Sequence, residues 1–133
     1  MSDKRVSIGS VSAATGCNIE TIRYYEKEGL LPSPDRSSGG HRLYSSAHIS
    51  RLSFIRRCRT LGFSMAEIRQ LLALVDGAEV SCERVKQIAD DHLADVRARM
   101  ADLKQMEQSL LELSARCSGT ATPECPMLDI LQA

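Results

Sequence analysis

Three cysteines carry the chemistry open to this chain. Cys82 opens a long helical pattern, and Cys117 and Cys125 flank its far end. Thiolates select soft metal ions, and the seven residues SGTATPE between Cys117 and Cys125 form a loop flexible enough to bring both sulfurs onto one ion. The third sulfur is the difficulty: Cys82 and Cys117 are 35 positions apart, roughly 50 Å of straight helix. One chain does not close a three-sulfur site across that span. Two copies laid antiparallel bring Cys82 of one beside Cys117 and Cys125 of the other, twice per dimer. Pro126 suits the first position of a short helix just after Cys125, and Cys82 heads the long one, so both thiolates gain from helix N-terminal dipoles. Glu124 or water is the remaining fourth donor. A disulfide between Cys117 and Cys125 is the competing chemistry, which would make the chain a thiol-based redox sensor.

The elements that position these residues are legible in the periodicity. From Cys82 to Arg116 there is no Pro or Gly, and Val85, Ala89, His92, Val96, Met100, Leu103, Met106, Leu110 and Leu113 step by three or four, the pattern of a coiled-coil seam. His92 interrupts it and reads as a packed or interface residue. Upstream, IGSVSAATG ends in Gly16, and Asn18 is an N-cap for IETIRYYEKEG, which Gly29 ends. Two short helices on a tight turn make a helix-turn-helix candidate. Pro32, Pro34, Gly39 and Gly40 then break helix, and His41 to Tyr44 alternate as a short hairpin strand, giving a wing. A helix follows from Ser46 to Gly62, and Ser64 with Glu67 forms a capping box for another. The tail after Cys117 reads as a loop and one short helical turn. The expected organisation is a DNA-binding domain over 1–76, a dimerisation helix over 77–116 and a metal-binding tail over 117–133.

A second group of residues points to nucleic acid. Residues 1–75 carry eleven Lys/Arg against six Asp/Glu, and residues 76–133 carry six against eleven. A basic first part beside an acidic remainder implies that only the first part meets a polyanion. Within it, Thr21 and Arg23 lie on the second helix, where Arg23 suits a major groove through bidentate pairing to guanine or through phosphate. Arg36 and Arg42 on the wing would hold flanking phosphates. Tyr24 and Tyr44 are candidates to donate a hydroxyl to phosphate while the ring packs on the domain. Tyr25 reads as core. Cys17 and Cys58 read as small packed hydrophobes, and Arg56, Arg57 and Arg59 as a solvated face.

On these residues the chain resembles the MerR family of bacterial transcription regulators. The resemblance rests on Ile8-Gly9 through Gly16, Thr21-Ile22-Arg23-Tyr24-Tyr25-Glu26 through Leu31, and Arg42-Leu43-Tyr44, in order and at family spacing. Val11-Ser12-Ala13 departs from the E-L-A often found there. The resemblance implies a mainly α homodimer: a winged helix-turn-helix, a long antiparallel dimerisation coiled-coil helix and a short metal-binding tail. It further implies double-stranded promoter DNA and RNA polymerase as partners, with repression before the inducer and activation by DNA distortion after it. In the family's copper-sensing branch the position of Cys82 resembles a serine, so a cysteine there argues for a divalent ion. The loop also lacks the donors of the zinc-sensing branch. The expected effector is therefore Pb2+, Cd2+ or Hg2+, with Zn2+ behind them and copper(I) last.

Other classes are disfavoured. There is no C-x-x-C and no βαβ pattern for a thiol oxidoreductase, and an organic-ligand sensor would be expected to carry a larger effector domain. Five cysteines, an odd number, suit thiols in a reducing compartment. The opening residues MSDKRVSIGS lack a signal peptide's apolar core and no stretch is long enough to span a membrane, so a cytoplasmic protein without a membrane partner is expected.

Overall fold

The structure, a computed structural model, describes residues 4–77, 81–117, 119 and 124–133. It divides into two compact units, Met1–Val85 and Lys86–Ala133.

The first unit opens with α1 (Ile8–Thr15) and α2 (Ile19–Lys27), joined by a turn around Gly16. Ser7 caps α1 through its hydroxyl, which accepts from Ser10 N, and Asn18 caps α2 by accepting from Thr21 N at 2.7 Å. Gly16 adopts φ 74° and donates its N–H to Ser12 O, the left-handed close that lets the chain leave α1 and start α2 three residues later. The wing is an antiparallel pair, β1 (Asp35–Arg36) and β2 (Arg42–Leu43), with Asp35 opposite Leu43 and Arg36 opposite Arg42. A bridge between Val6 and Tyr44 ties its base to the start of the chain.

Helices α3 (Ser46–Thr60) and α4 (Met65–Asp76) follow in the same unit. The Ser64–Glu67 capping box forms in both directions, at 2.9 and 3.1 Å. At α3 the capping partner is a histidine: Ser45 N donates to His48 Nδ1 at 3.1 Å, which puts the ring proton on Nε2, donated to Pro32 O at 3.1 Å. α1 packs on both α2 and α3. Val11, Ile22, Tyr44, Leu52, Ile55 and Ile68 are the fully buried centre of this unit, one or two from each packed element. Arg51 reaches from α3 to the turn after α2 and to the end of α4. Its Nε donates to Leu30 O at 2.5 Å, and its two Nη groups hold Asp76 at 2.6 and 2.9 Å.

α5 (Cys82–Ala115) is a single helix of 34 residues, about 50 Å long by its rise. Ser81 caps it, its hydroxyl accepting from Arg84 N at 3.2 Å, so Cys82 is the first helical residue. Val85, Met100, Leu103, Met106 and Leu110 of the stepping set remain 37–63 % exposed in the single chain. Ile88, outside that set, is instead the buried residue of the helix. α6 (Pro126–Gln132) has seven residues, about two turns where one was expected. Pro126 starts it without losing a helical bond, and Asp129 N closes its first turn on Cys125 O. Among the described residues no helix is long and apolar enough to cross a membrane.

Candidate functional site

The exposed end of the helix-turn-helix and the wing meet in a recess of about 280 Å³. Arg23 of α2, Arg36 of β1, Arg42 of β2 and His41 line it, together with Ser7 and Ile8 at the start of α1. Three guanidinium groups and a helix N-terminus therefore face one concavity, an arrangement complementary to phosphate. Secondary structure explains the convergence. Arg23 sits on the exposed face of α2, whose opposite face buries Ile22 and Tyr25, and the wing's register sets Arg36 directly opposite Arg42. Arg36 is steadied by its Nη1 donating to Gly40 O at 2.9 Å, across a turn that Gly40 N closes on Ser37 O. Thr21 lies half-buried on the same helix, and Tyr24 is 49 % exposed beside buried Tyr25, ring centroids 5.9 Å apart.

Tyr44 corrects the expectation. It is fully buried, with its ring edge-on to His48 at 5.4 Å and its hydroxyl donating to Glu26 Oε1. Burial first, and then the bond to Glu26, push its ionisation well above the usual tyrosine range. A side chain with no exposed surface does not reach a phosphate, so Tyr44 is a core residue under the wing. The residue that the sequence did not single out is Glu26. Its Oε2 pairs with Arg42 Nε at 3.5 Å, and its side chain is 12 % exposed. In sequence it resembles any acidic residue on a helix surface; only the burial of Tyr44 beneath it marks it out.

The basic face of α3 is also less free than expected. Arg56 Nη1 donates to Thr15 O at 2.6 Å, capping the carbonyl end of α1, and Arg59 Nη1 donates to Phe63 O at 3.1 Å. Cys17 and Cys58 are buried at 8 % and 7 % exposure, and burial pushes the Cys58 thiol's pKa up. Both pack as apolar groups.

All five cysteines are thiols. Cys82 is exposed on the first turn of α5, Cys117 is exposed just past its last turn, and Cys125 is half-buried at the N-cap of α6 with no capping hydrogen bond from its side chain. Among the described residues of the single chain, no three His, Cys, Asp or Glu side chains gather where one ion could be held. Most of the loop expected to bring Cys117 to Cys125, namely 118 and 120–123, lies outside the described residues.

Comparison with known proteins matches this architecture. The chain is 40 % identical over 127 residues to an HTH-type transcriptional regulator, ZntR homolog, of Haemophilus influenzae, covering 96 % of this chain and 93 % of that one. The lead(II) complex of the transcription regulator PbrR691 from Ralstonia metallidurans CH34 superposes with a TM-score of 0.83 at 43 % identity, over 95 % of this chain and 98 % of that chain. The mercury(II) complex of MerR from Bacillus megaterium MB1 superposes with a TM-score of 0.74 at 34 % identity, over 96 % and 100 %. The model for the MerR HTH family regulatory protein matches residues 6–75, and that for MerR, DNA binding matches residues 49–113. A helix-turn-helix with a wing, followed by one long helix, thus carries family signature along most of its length: the chain belongs to the MerR family and is a transcription regulator, not an enzyme.

Proposed function

We propose that this chain is a metal-responsive regulator that binds double-stranded promoter DNA as a homodimer in the cytoplasm. It represses without metal and activates, with RNA polymerase at the promoter, by distorting the DNA once a divalent soft ion is bound. Cys82 of one protomer, with Cys117 and Cys125 of the partner subunit, holds the ion. The observation that carries this reading is the unbroken 34-residue helix α5, which starts at exposed Cys82 and ends just before exposed Cys117. Antiparallel pairing of two such helices covers the apolar seam that the single chain leaves exposed and supplies the missing sulfurs together. The donor set fits: three unbridged thiols suit a soft ion, and Cys82 lies at the positive end of a long helix. The relatives that hold lead(II) and mercury(II) support the same class.

Pb2+, Cd2+ and Hg2+ rank ahead of Zn2+, because structural zinc sites take four protein ligands and three sulfurs hold the ion in this site, with no His or further Cys in the loop. At the other end, Thr21, Arg23, Tyr24, Arg36 and Arg42 contact DNA, the arginines through phosphate or guanine and half-exposed Tyr24 through its hydroxyl.

Competitive titration of the reduced dimer with Pb2+, Cd2+, Hg2+ and Zn2+, repeated with Cys82→Ser, tests the site. Loss of affinity for soft divalent ions supports it. Unchanged affinity for all of them refutes the intersubunit trio, and complete Cys117–Cys125 oxidation by peroxide in a protein without metal affinity would establish the redox reading instead.

A further inference from the structure

We propose that Glu26 is a positioning residue of the DNA interface, fastening the wing to α2 and holding the Arg42 guanidinium beside Arg23 and Arg36. The inference rests on the DNA-binding reading above. Glu26 lies one turn after Arg23 on α2, and its oxygens go to the second wing strand and to the core residue just after it: Oε2 pairs with Arg42 Nε at 3.5 Å and Oε1 accepts the Tyr44 hydroxyl. Tyr44 is itself immobilised, fully buried and bridged through its backbone to Val6. One carboxylate thus links a recognition helix to a strand 16 residues further along, through one buried and one half-exposed partner.

Electrostatics alone argues against a carboxylate here. A negative charge beside three arginines that face a polyanion weakens the attraction they exert. Its return is orientation. An arginine on a short wing strand has many rotamers, and fixing one on binding costs affinity; a pair made through Nε leaves both Nη groups for a phosphate and removes part of that cost beforehand. Bare charge and positioning therefore predict opposite signs for the same substitution.

Glu26→Gln keeps the size and an acceptor for Tyr44 but removes the charge that holds Arg42. The probe is a duplex selected by the wild-type protein from a random pool, with affinity measured across a salt series and melting checked for each variant. Positioning predicts several-fold to about tenfold weaker binding, a salt slope shallower by about one phosphate contact, and no further loss when Glu26→Gln is added to Arg42→Gln. Unchanged or tighter binding with an unchanged or steeper slope overturns the proposal. Arg42→Lys examines the same arrangement without touching the half-buried carboxylate and decides the matter if Glu26→Gln does not fold. It keeps the charge but cannot pair with Glu26 and present a fork at once, so binding several-fold weaker is expected, and wild-type affinity overturns the proposal. If no duplex is selected, or if Arg23→Gln and Arg42→Gln both bind as wild type, the DNA-binding reading itself fails and the proposal with it.

Discussion

Replacing Gly16 by alanine tests how the helix-turn-helix is closed. Gly16 has φ 74°, and an added Cβ would lie 2.3 Å from Arg56 Nη1 and 2.8 Å from its Cζ. Gly29 has nearly the same conformation, φ 78°, but a Cβ there meets nothing within 4 Å. Gly29→Ala therefore measures the left-handed backbone alone, about 1 kcal/mol. Gly16→Ala adds the displacement of Arg56, whose Nη1 donates to Thr15 O at 2.6 Å. A hydrogen bond from a charged donor contributes about 1.5–3 kcal/mol at most. The exposure of Arg56 lowers this to about 1, so Gly16→Ala is expected to cost about 2 kcal/mol. Urea unfolding at one fixed protein concentration reads both values, since stability of a dimer depends on concentration. The decisive comparison is a double-mutant cycle. In an Arg56→Ala background, Gly16→Ala should fall back to about 1 kcal/mol, a coupling of about 1 or more. Equal costs for Gly16→Ala and Gly29→Ala, or no coupling to Arg56, would refute the close-approach argument.

Three further outcomes are expected. Ser64→Ala removes the hydroxyl that accepts from Glu67 N at 3.1 Å and should cost about 1 kcal/mol in the same urea assay, with Ser64→Gly costing less. The Arg51 hydrogen bonds hold the Asp76 carboxyl below its ordinary value of 3.8. The folded-state value is the depressed one, so the pairing's contribution is complete above that ordinary value and is lost as pH falls through the folded-state value; unfolding curves of Asp76→Asn and wild type should converge in that acid range and separate above it. Leu110→Asp places a charge on a seam position that is 56 % exposed in the single chain, and sedimentation should show monomer; a persistent dimer would mean that this face of α5 is not the interface.

Much of the fold was legible because its signals are local. Asn18 and the Ser64–Glu67 pair announce helix starts through hydroxyl, amide and carboxylate groups that reach only a few residues, and Gly16 and Gly29 announce helix ends through a conformation that few other residues adopt. The length of α5 followed from the absence of Pro and Gly together with a sustained apolar step. Tyr25 read as core from the sequence, and it is buried on α2 with Ile22, whereas the exposure of Arg23 and Tyr24 is a structural observation.

The same periodicity did not distinguish the tyrosine that is buried under the wing from the one that faces outward. Tyr44 is core because Val6, Glu26 and His48, distant in sequence, converge on it. Arg56 is a helix cap rather than a solvated charge because α1 ends against α3. The pairing of Glu26 with Arg42 likewise depends on where the hairpin lies against α2. By itself the sequence determined the elements, their caps and the separation of the cysteines along α5, since each depends on backbone conformation over a turn or two or on the fixed rise of a helix. Tertiary structure alone decided which polar side chains face the recess and which are consumed in holding it together, since that depends on contacts between elements whose separation along the chain carries no local signal.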